Sequence, residues 1–125
     1  MNTIIHAEDA PAAIGPYVQG ILADRTLYVS GQLGMNCAGE LADGVAAQAE
    51  QSLKNLGAIL KEAGASFGDV VKTTVFLADM ADFGIVNEVY GKYFADHHPA
   101  RACIQVAGLP KGGLVEIECI AVLSK

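Results

Sequence analysis

Basic residues are scarce in this sequence. Eight Lys and Arg stand against 14 Asp and Glu among 125 residues, which gives a formal net charge of -6 at pH 7. A chain of this charge repels a polyanion unless its few cations gather on one face, and here they are scattered along the sequence. Aromatic residues make up only 6%, so RNA would find neither a basic stripe nor an aromatic platform. Nucleic acid is therefore disfavoured as a partner.

Long apolar runs are also absent. No stretch approaches the length of a membrane span, and the first residues do not combine a basic segment with an apolar one. We therefore expect neither membrane insertion nor secretion, and a cytoplasmic location. The composition is nevertheless apolar, with 52% hydrophobic and only 18% charged residues. This balance favours a single domain over residues 1–125 that buries part of its surface in a homo-oligomer.

Cysteine and histidine are too few and too irregularly spaced for a disulfide framework or a zinc site. The cysteines form an odd set without paired spacing and should be free thiols: Cys37, Cys103 and Cys119. His97 and His98 are adjacent at the end of a predicted helix, where capping is the expected role. The glycines of the segment 31–34 do not have the spacing of a phosphate-binding loop, and instead favour close approach of backbone to a ligand.

Two segments have apolar residues at helical spacing. The first runs from Asp43, a candidate N-cap, to Ala63, with Gly64 placed to end it. The second runs from about Phe83 to His97, and Pro99 closes it. The predicted core stripe of the first helix consists of Ala46, Ala49, Leu53, Leu56, Leu60 and Ala63.

Six segments rich in Val, Ile, Thr and Tyr predict β-strands. They are 3–6, 17–22, 26–30, 70–77, 101–107 and 114–123, with a hairpin turn at Asp24 and Arg25. This order predicts an α+β fold in which two crossover helices lie on one face of a mixed sheet. The last strand is apolar on both sides except at Glu116 and Glu118, so we expect another subunit to cover the second face.

The most informative residues begin the fifth predicted strand. Alternation sends Arg101, Cys103 and Gln105 to one face, which we expect to meet a neighbouring subunit. A guanidinium there needs a partner or a ligand, and its planar fork fits a carboxylate. Hairpin pairing across the turn at 110–113 would bring Glu116 close to Arg101, where its carboxylate could orient or deprotonate water.

Two alternatives use the same residues differently. Arg101 and Glu116 could form an interfacial ion pair without any ligand. Cys103 could be a nucleophile beside Arg101, but no histidine is placed as its base, and a small hydrophobic role is the commoner one.

Several motifs extend nearly from end to end of the chain. They are PARACIQVAGLPKGGLVEIE at 99–118, AAIGPYVQG around Tyr17, YVSGQ around Ser30, KTTVFLADMADF at 72–83, and VNEVY around Asn87. With these motifs the chain resembles the RidA family of enamine/imine deaminases. The resemblance implies a chorismate-mutase-like subunit in a barrel-shaped homotrimer with clefts between subunits. It also implies hydrolysis of 2-imino acids, such as those from 2-aminoacrylate, to 2-keto acids and ammonia without a cofactor or metal.

The resemblance also implies roles for individual residues. Arg101 would bind the substrate carboxylate and Glu116 would position the attacking water, while Gly31 would bring backbone close to the ligand. The other cleft residues would be Tyr17, Ser30, Asn87 and Cys103. The sequence departs from many relatives at 33–39, which reads LGMNCAG, and in its short link before Pro99.

Two other functions remain open at this point. An Arg-lined cleft could bind keto or fatty acids in a trimer without turnover. Ribonuclease or translation-inhibitor activity, also attributed to this family, is disfavoured by the acidic charge. Glu116 favours catalysis, since carboxylate binding alone does not require it.

Overall fold

The computed structural model describes residues 2–124. Over this range the chain forms six strands and two α-helices, joined in part by short 3-10 turns. The strands are β1 (Asn2–Ile5), β2 (Gly20–Ala23), β3 (Thr26–Leu33), β4 (Val70–Leu77), β5 (Ala100–Gln105) and β6 (Val115–Val122). The helices are α1 (Val45–Glu62) and α2 (Phe83–Tyr93). None of the helices in this range is long and apolar enough to cross a bilayer.

The six strands of residues 2–124 form one mixed sheet in the order β1-β2-β3-β6-β4-β5. Only the β4–β5 pair is parallel, and α2 connects these two strands. Helix α1 packs on β3 and β6 and also contacts α2. The predicted α+β fold, with two helices on one face of a mixed sheet, is confirmed.

The core lies between the helices and one face of the sheet. Along β6, Val115, Ile117, Cys119 and Ala121 are buried, while the residues between them are at least partly exposed. A single chain therefore covers only one face of its longest strands. We call the other face the open face; its cover by a second subunit stays a prediction.

Helix α1 begins later than predicted. Gly44, with φ of 91°, occupies the N-cap position and no side chain caps the helix, so the prediction that Asp43 caps it is wrong. Asp43 lies one residue too early, because a capping side chain must directly precede the first turn. The predicted end is confirmed, since Gly64 follows the helix with φ of 82°. Ala46 is exposed, although it was expected in the core.

The buried face of α1 carries polar side chains that its apolar periodicity did not predict. The Ser52 hydroxyl donates to the Gln32 carbonyl at 2.7 Å, and Asn55 Nδ2 donates to the carbonyls of Leu33 and Met35 at 3.2 and 2.9 Å. Ser52 and Asn55 are almost fully buried, so each bond also avoids the cost of an unsatisfied polar group. These bonds fix the end of β3 against the helix.

Gln48, one turn earlier on α1, links the helix to β6. Its Oε1 accepts from the Leu114 amide at 2.8 Å, and its Nε2 donates to the Ala42 carbonyl at 3.0 Å. Gly34 lies so close that a Cβ there would come within 2.3 Å of the Gln48 Cα and carbonyl oxygen. The end of β3 and the start of β6 are thus held by one side of α1.

Helix α2 ends at Tyr93, several residues before the predicted end at His97. The chain leaves the helix at Phe94, whose ring is buried and lies 4.6 Å from the Tyr90 ring and 5.3 Å from the Phe67 ring. Burial of this ring outweighs continuation of the helix. His97 does not cap a helix as expected; its Nε2 lies 2.6 Å from the Val70 carbonyl at the start of β4.

Most strand bounds agree with the prediction within two residues, and β4 agrees at both ends. Two bounds differ by three residues: β2 starts at Gly20 and not at Tyr17, and β3 extends to Leu33 and not only to Ser30. Residues 17–19 leave the sheet because the buried Gln19 side chain binds the backbone of an earlier segment. It accepts from the Ala7 amide at 2.6 Å and donates to the Pro11 carbonyl at 2.7 Å. The predicted hairpin turn is confirmed, with Asp24 at φ of 58°.

We predict that Gly34→Ala destabilises the protein by about 1–3 kcal/mol or more, because the added methyl group would overlap the backbone of α1 at Gln48. Gly84→Ala is the matched control. Gly84 lies in α2, where an added methyl group would have nothing within 4 Å, and the change should leave stability equal or raise it by up to about 1 kcal/mol. Urea unfolding would measure the free energy of unfolding of both variants. Equal values for the two variants would contradict the close contact between Gly34 and α1.

Candidate functional site

The strands that carry Arg101 and Glu116 are not neighbours. β4 lies between β5 and β6, so the predicted hairpin pairing is wrong. Arg101 pairs with Thr73 on one side of β4, and Glu116 pairs with Phe76 on the other. The reason is the connection between β5 and β6, which passes over the end of β4: the Val106 amide donates to Leu77, and the Ala78 amide donates to Leu114.

Arg101 and Glu116 also lie on opposite faces of the sheet. In the parallel pair, Arg101 stands beside Thr73 and Cys103 beside Val75, both of which are buried under the helices. Arg101, Cys103 and Gln105 therefore lie on the helix side, and the prediction that they lie on the face opposite the helices is wrong. Arg101 is nevertheless exposed, because β5 is the edge strand. Glu116 alternates with buried residues of β6 and lies on the open face.

The guanidinium of Arg101 is held by one side of α2. Its Nη1 donates to Asn87 Oδ1 at 2.6 Å, and its carbon lies 4.8 Å from the Tyr90 ring centre and 5.6 Å from the Phe83 ring centre. Such cation–π contacts contribute about 0.5–1 kcal/mol at exposed sites. No carboxylate of residues 2–124 forms an ion pair with Arg101. Its charge is thus oriented but not neutralised by any carboxylate of the described residues.

A cavity of about 310 Å³ opens beside this guanidinium, between the end of α2 and Pro99. Cys103 lies two residues further along β5, partly buried against the core. Burial raises the pKa of its thiol, and the charge of Arg101 lowers it by less. A protonated thiol is a weak nucleophile, which agrees with a packing role for Cys103. We call Arg101, Asn87, Tyr90, Phe83 and Cys103 the arginine half.

Glu116 lies against Gly31 on the open face. A Cβ at Gly31 would lie 2.8 Å from Glu116 Oε2 and 2.9 Å from its Cδ, so a side chain at this position would displace the carboxylate from its present place. Gly31 sits in a β-bulge, where the β3–β6 register shifts between Val29 and Gln32. Burial raises the pKa of Glu116, and repulsion from Glu118 raises it further. The carboxylate is therefore a stronger base than an ordinary glutamate.

Tyr17 and Gly31 share a cavity of about 110 Å³ with Glu116. Leu33 and Met35, from the segment where the sequence departs from many relatives, line the same cavity. The Ser30 hydroxyl does not point there, since it donates to the Val18 carbonyl at 2.6 Å and lines a neighbouring groove with Tyr17. We call Tyr17, Ser30, Gly31 and Glu116 the glutamate half.

The structure thus divides the predicted site residues into two groups on opposite sheet faces. The contact of Phe83 and Tyr90 with Arg101 was not predicted. Phe83, Asn87 and Tyr90 are spaced so that they lie on one side of a helix, with a polar residue between two aromatic ones. This spacing was the signal that could have predicted the contact. Gln19 was missed too, although its bonds place the segment that leads into Tyr17. Among residues 2–124 no group of three or more His, Cys, Asp or Glu could hold a metal ion.

Comparison with known proteins identifies the family of this chain. Residues 7–123 match the family profile described as Endoribonuclease L-PSP. The chain is 60% identical over 124 residues to a 2-iminobutanoate/2-iminopropanoate deaminase of Rattus norvegicus, covering 98% of this chain and 90% of the rat protein. It is 51% identical over 126 residues to the protein of the same name from Escherichia coli K12, covering 98% of each.

Solved structures agree with the sequence relatives. The fold superposes on RidA from the Antarctic bacterium Psychrobacter sp. PAMC 21119 with a TM-score of 0.94 at 48% identity, covering 97% of this chain and 99% of that one. It superposes equally well on E. coli TdcF with bound serine, with a TM-score of 0.94 at 47% identity, covering 98% and 99%. The match to the family profile and the identity to these relatives over nearly the whole chain show that this protein belongs to the RidA family.

Proposed function

We propose that this protein hydrolyses 2-iminobutanoate and 2-iminopropanoate to the corresponding 2-keto acids and ammonia. The observation that carries the proposal is the Glu116 carboxylate packed against Gly31, with a raised pKa, on a chain that also presents an oriented and unneutralised Arg101. Curated relatives at 51–61% identity are named for this activity. Imino acids carry the carboxylate that Arg101 would bind.

The active site, in this proposal, forms between two copies of the chain. Arg101 and Glu116 lie on opposite faces of one sheet, so a single copy cannot bring them to one small ligand. The open face also exposes apolar side chains, including Tyr28, Ile104 and Val122, which are 51%, 47% and 38% exposed. Exposed apolar surface of this kind favours an interface. We propose a homotrimer in which each cleft joins the arginine half of one copy to the glutamate half of the next.

The chemistry needs little beyond binding and one base. Arg101 would hold the substrate carboxylate with charge-assisted hydrogen bonds. Glu116 would accept a proton from water as the water oxygen bonds to C2, while the imine nitrogen takes up a proton from solvent to give a carbinolamine. Breaking the C–N bond then releases ammonia as the nitrogen gains the proton held by Glu116 and the hydroxyl loses its own proton to solvent, leaving the 2-keto acid. No covalent bond to Cys103 is required.

The two other functions are less well supported. A binding trimer without turnover gives no reason for a partly buried carboxylate with a raised pKa beside Gly31. The family description names an endoribonuclease, but the net charge of -6 repels RNA, and Glu116 and Glu118 add two carboxylates to the open face. We therefore propose the deaminase activity alone.

The direct test couples the purified protein to an amino-acid oxidase that generates 2-imino acids, and follows ammonia and 2-keto acid release. We expect the protein to accelerate hydrolysis. Arg101→Ala and Glu116→Gln should each abolish it, Arg101→Ala through substrate binding and Glu116→Gln through the chemical step. No acceleration by the wild type with either imino acid would contradict the proposed function.

Mixed oligomers test whether the cleft joins two copies. We predict that Arg101→Ala and Glu116→Gln chains, co-expressed with different tags and purified through both, regain about a third of wild-type activity, since every mixed trimer then contains one intact cleft of three. Each variant alone, purified in the same way, is the control. A mixture as inactive as its parents would show that both residues must come from the same chain.

The acid limb of the pH–rate profile should respond to Glu118. Glu116 acts as a base only when deprotonated, so activity falls as the pH drops through its raised pKa. Glu118→Gln removes the repulsion that contributes to this rise, and we predict that the acid limb of kcat/KM moves to lower pH. Glu62→Gln, at the end of α1, is the control and should leave the profile unchanged. If the acid limb of the Glu118→Gln profile does not move, the raised pKa of Glu116 is due to burial alone.

A further inference from the structure

Arg101 contacts two residues that take no part in the proposed chemistry, Thr73 and Tyr90, and these two residues also contact each other. Thr73 pairs with Arg101 across β4 and β5 and is fully buried. Its hydroxyl lies 2.7 Å from the Tyr90 hydroxyl, which is also buried. The Tyr90 ring in turn lies 4.8 Å from the guanidinium carbon. Backbone pairing, hydroxyl bond and ring contact thus connect the same three residues.

This arrangement fixes the ring on which the guanidinium rests. The Tyr90 ring packs in the core against the Phe94 ring, and the hydroxyl bond fixes the end of the side chain that is farthest from its helix. Burial raises the pKa of Tyr90, and the bond to Thr73 lowers it by less, so the hydroxyl stays protonated and available as a hydrogen-bond partner. An arginine side chain loses much rotamer freedom when it binds a ligand. Contacts that already orient the guanidinium before binding reduce that entropy loss.

We propose that Tyr90, held by Thr73, is a positioning residue that orients Arg101 for the substrate carboxylate. It acts through Arg101 and does not touch the reacting atoms. The inference rests on the proposed function only for its kinetic test, because carboxylate binding can be measured without turnover. Asn87 holds one nitrogen of the guanidinium, and Tyr90 supports its face, so the two contacts fix different directions.

The test replaces the hydroxyl and keeps the ring. Tyr90→Phe should raise KM for the imino acids and Kd for 2-oxobutanoate, measured by calorimetry, by about fivefold, as for the loss of one net hydrogen bond, with kcat little changed. Thr73→Val should have the same effect, and the double variant should be no worse than either single one. Thr73→Ser keeps the hydroxyl and should restore wild-type KM.

Tyr93→Phe is the matched control. Tyr93 lies on the same helix and its hydroxyl donates to Glu50 on α1, away from Arg101. This variant should lose stability without any change in KM or Kd. Unchanged KM and Kd in Tyr90→Phe, with only lower stability, would overturn the positioning role. If the wild type binds 2-oxobutanoate without hydrolysing imines, the proposed function fails and the Kd series still decides the inference; no binding by the wild type would overturn both.

Discussion

One covered sheet face, combined with the alternation of side chains along each strand, is the constraint on which the rest of this structure depends. The helices bury every second residue of β6, so the residues between them, Glu116 among them, must lie on the open face. The parallel register of β4 and β5 sends Arg101 to the other side, beside Thr73. A separation of this kind cannot be removed by side-chain rotation. It makes a second copy of the chain a requirement of the proposed chemistry, and not only a cover for apolar surface.

Helix α1 packs on the sheet face opposite Glu116 and fixes the backbone that carries the glutamate half. Gln48, Ser52 and Asn55 bind backbone groups at the end of β3, in the following loop and just before β6. The bulge in β3 lies directly before this fixed segment and brings Gly31 against Glu116. Buried side-chain amide and hydroxyl groups are costly unless they are bonded, and no buried side-chain N or O atom in residues 2–124 is left without a hydrogen-bond partner. The buried polar residues of α1 therefore specify one arrangement of β3 and β6.

The arginine half is prepared differently, by aromatic rings and one amide on α2. Arg101 stays at the edge of the sheet, where solvent or another copy can reach it, while Asn87, Phe83 and Tyr90 restrict its direction. The two halves thus combine an exposed, oriented cation with a partly buried base of raised pKa. Within an isolated chain neither charge is satisfied by the other, and in the proposed site this leaves both available to a carboxylate ligand and a water molecule.

Local patterns in the sequence determined the elements and the chemistry of the residues. Residue composition was enough for the bounds of β4, and single turn and capping residues were enough for the turn at Asp24 and the end of α1 at Gly64, because these depend on neighbouring residues. Strand alternation and isolated charge singled out Arg101 and Glu116, and the motif resemblance implied their roles. Only the tertiary structure decided that β4 separates their strands and that they face opposite ways, since strand order and the side covered by helices depend on long-range pairing. The early end of α2 at Phe94 and the departure of Tyr17 from β2 have the same origin: a buried ring and the bonds of Gln19 to distant backbone outweigh local propensity.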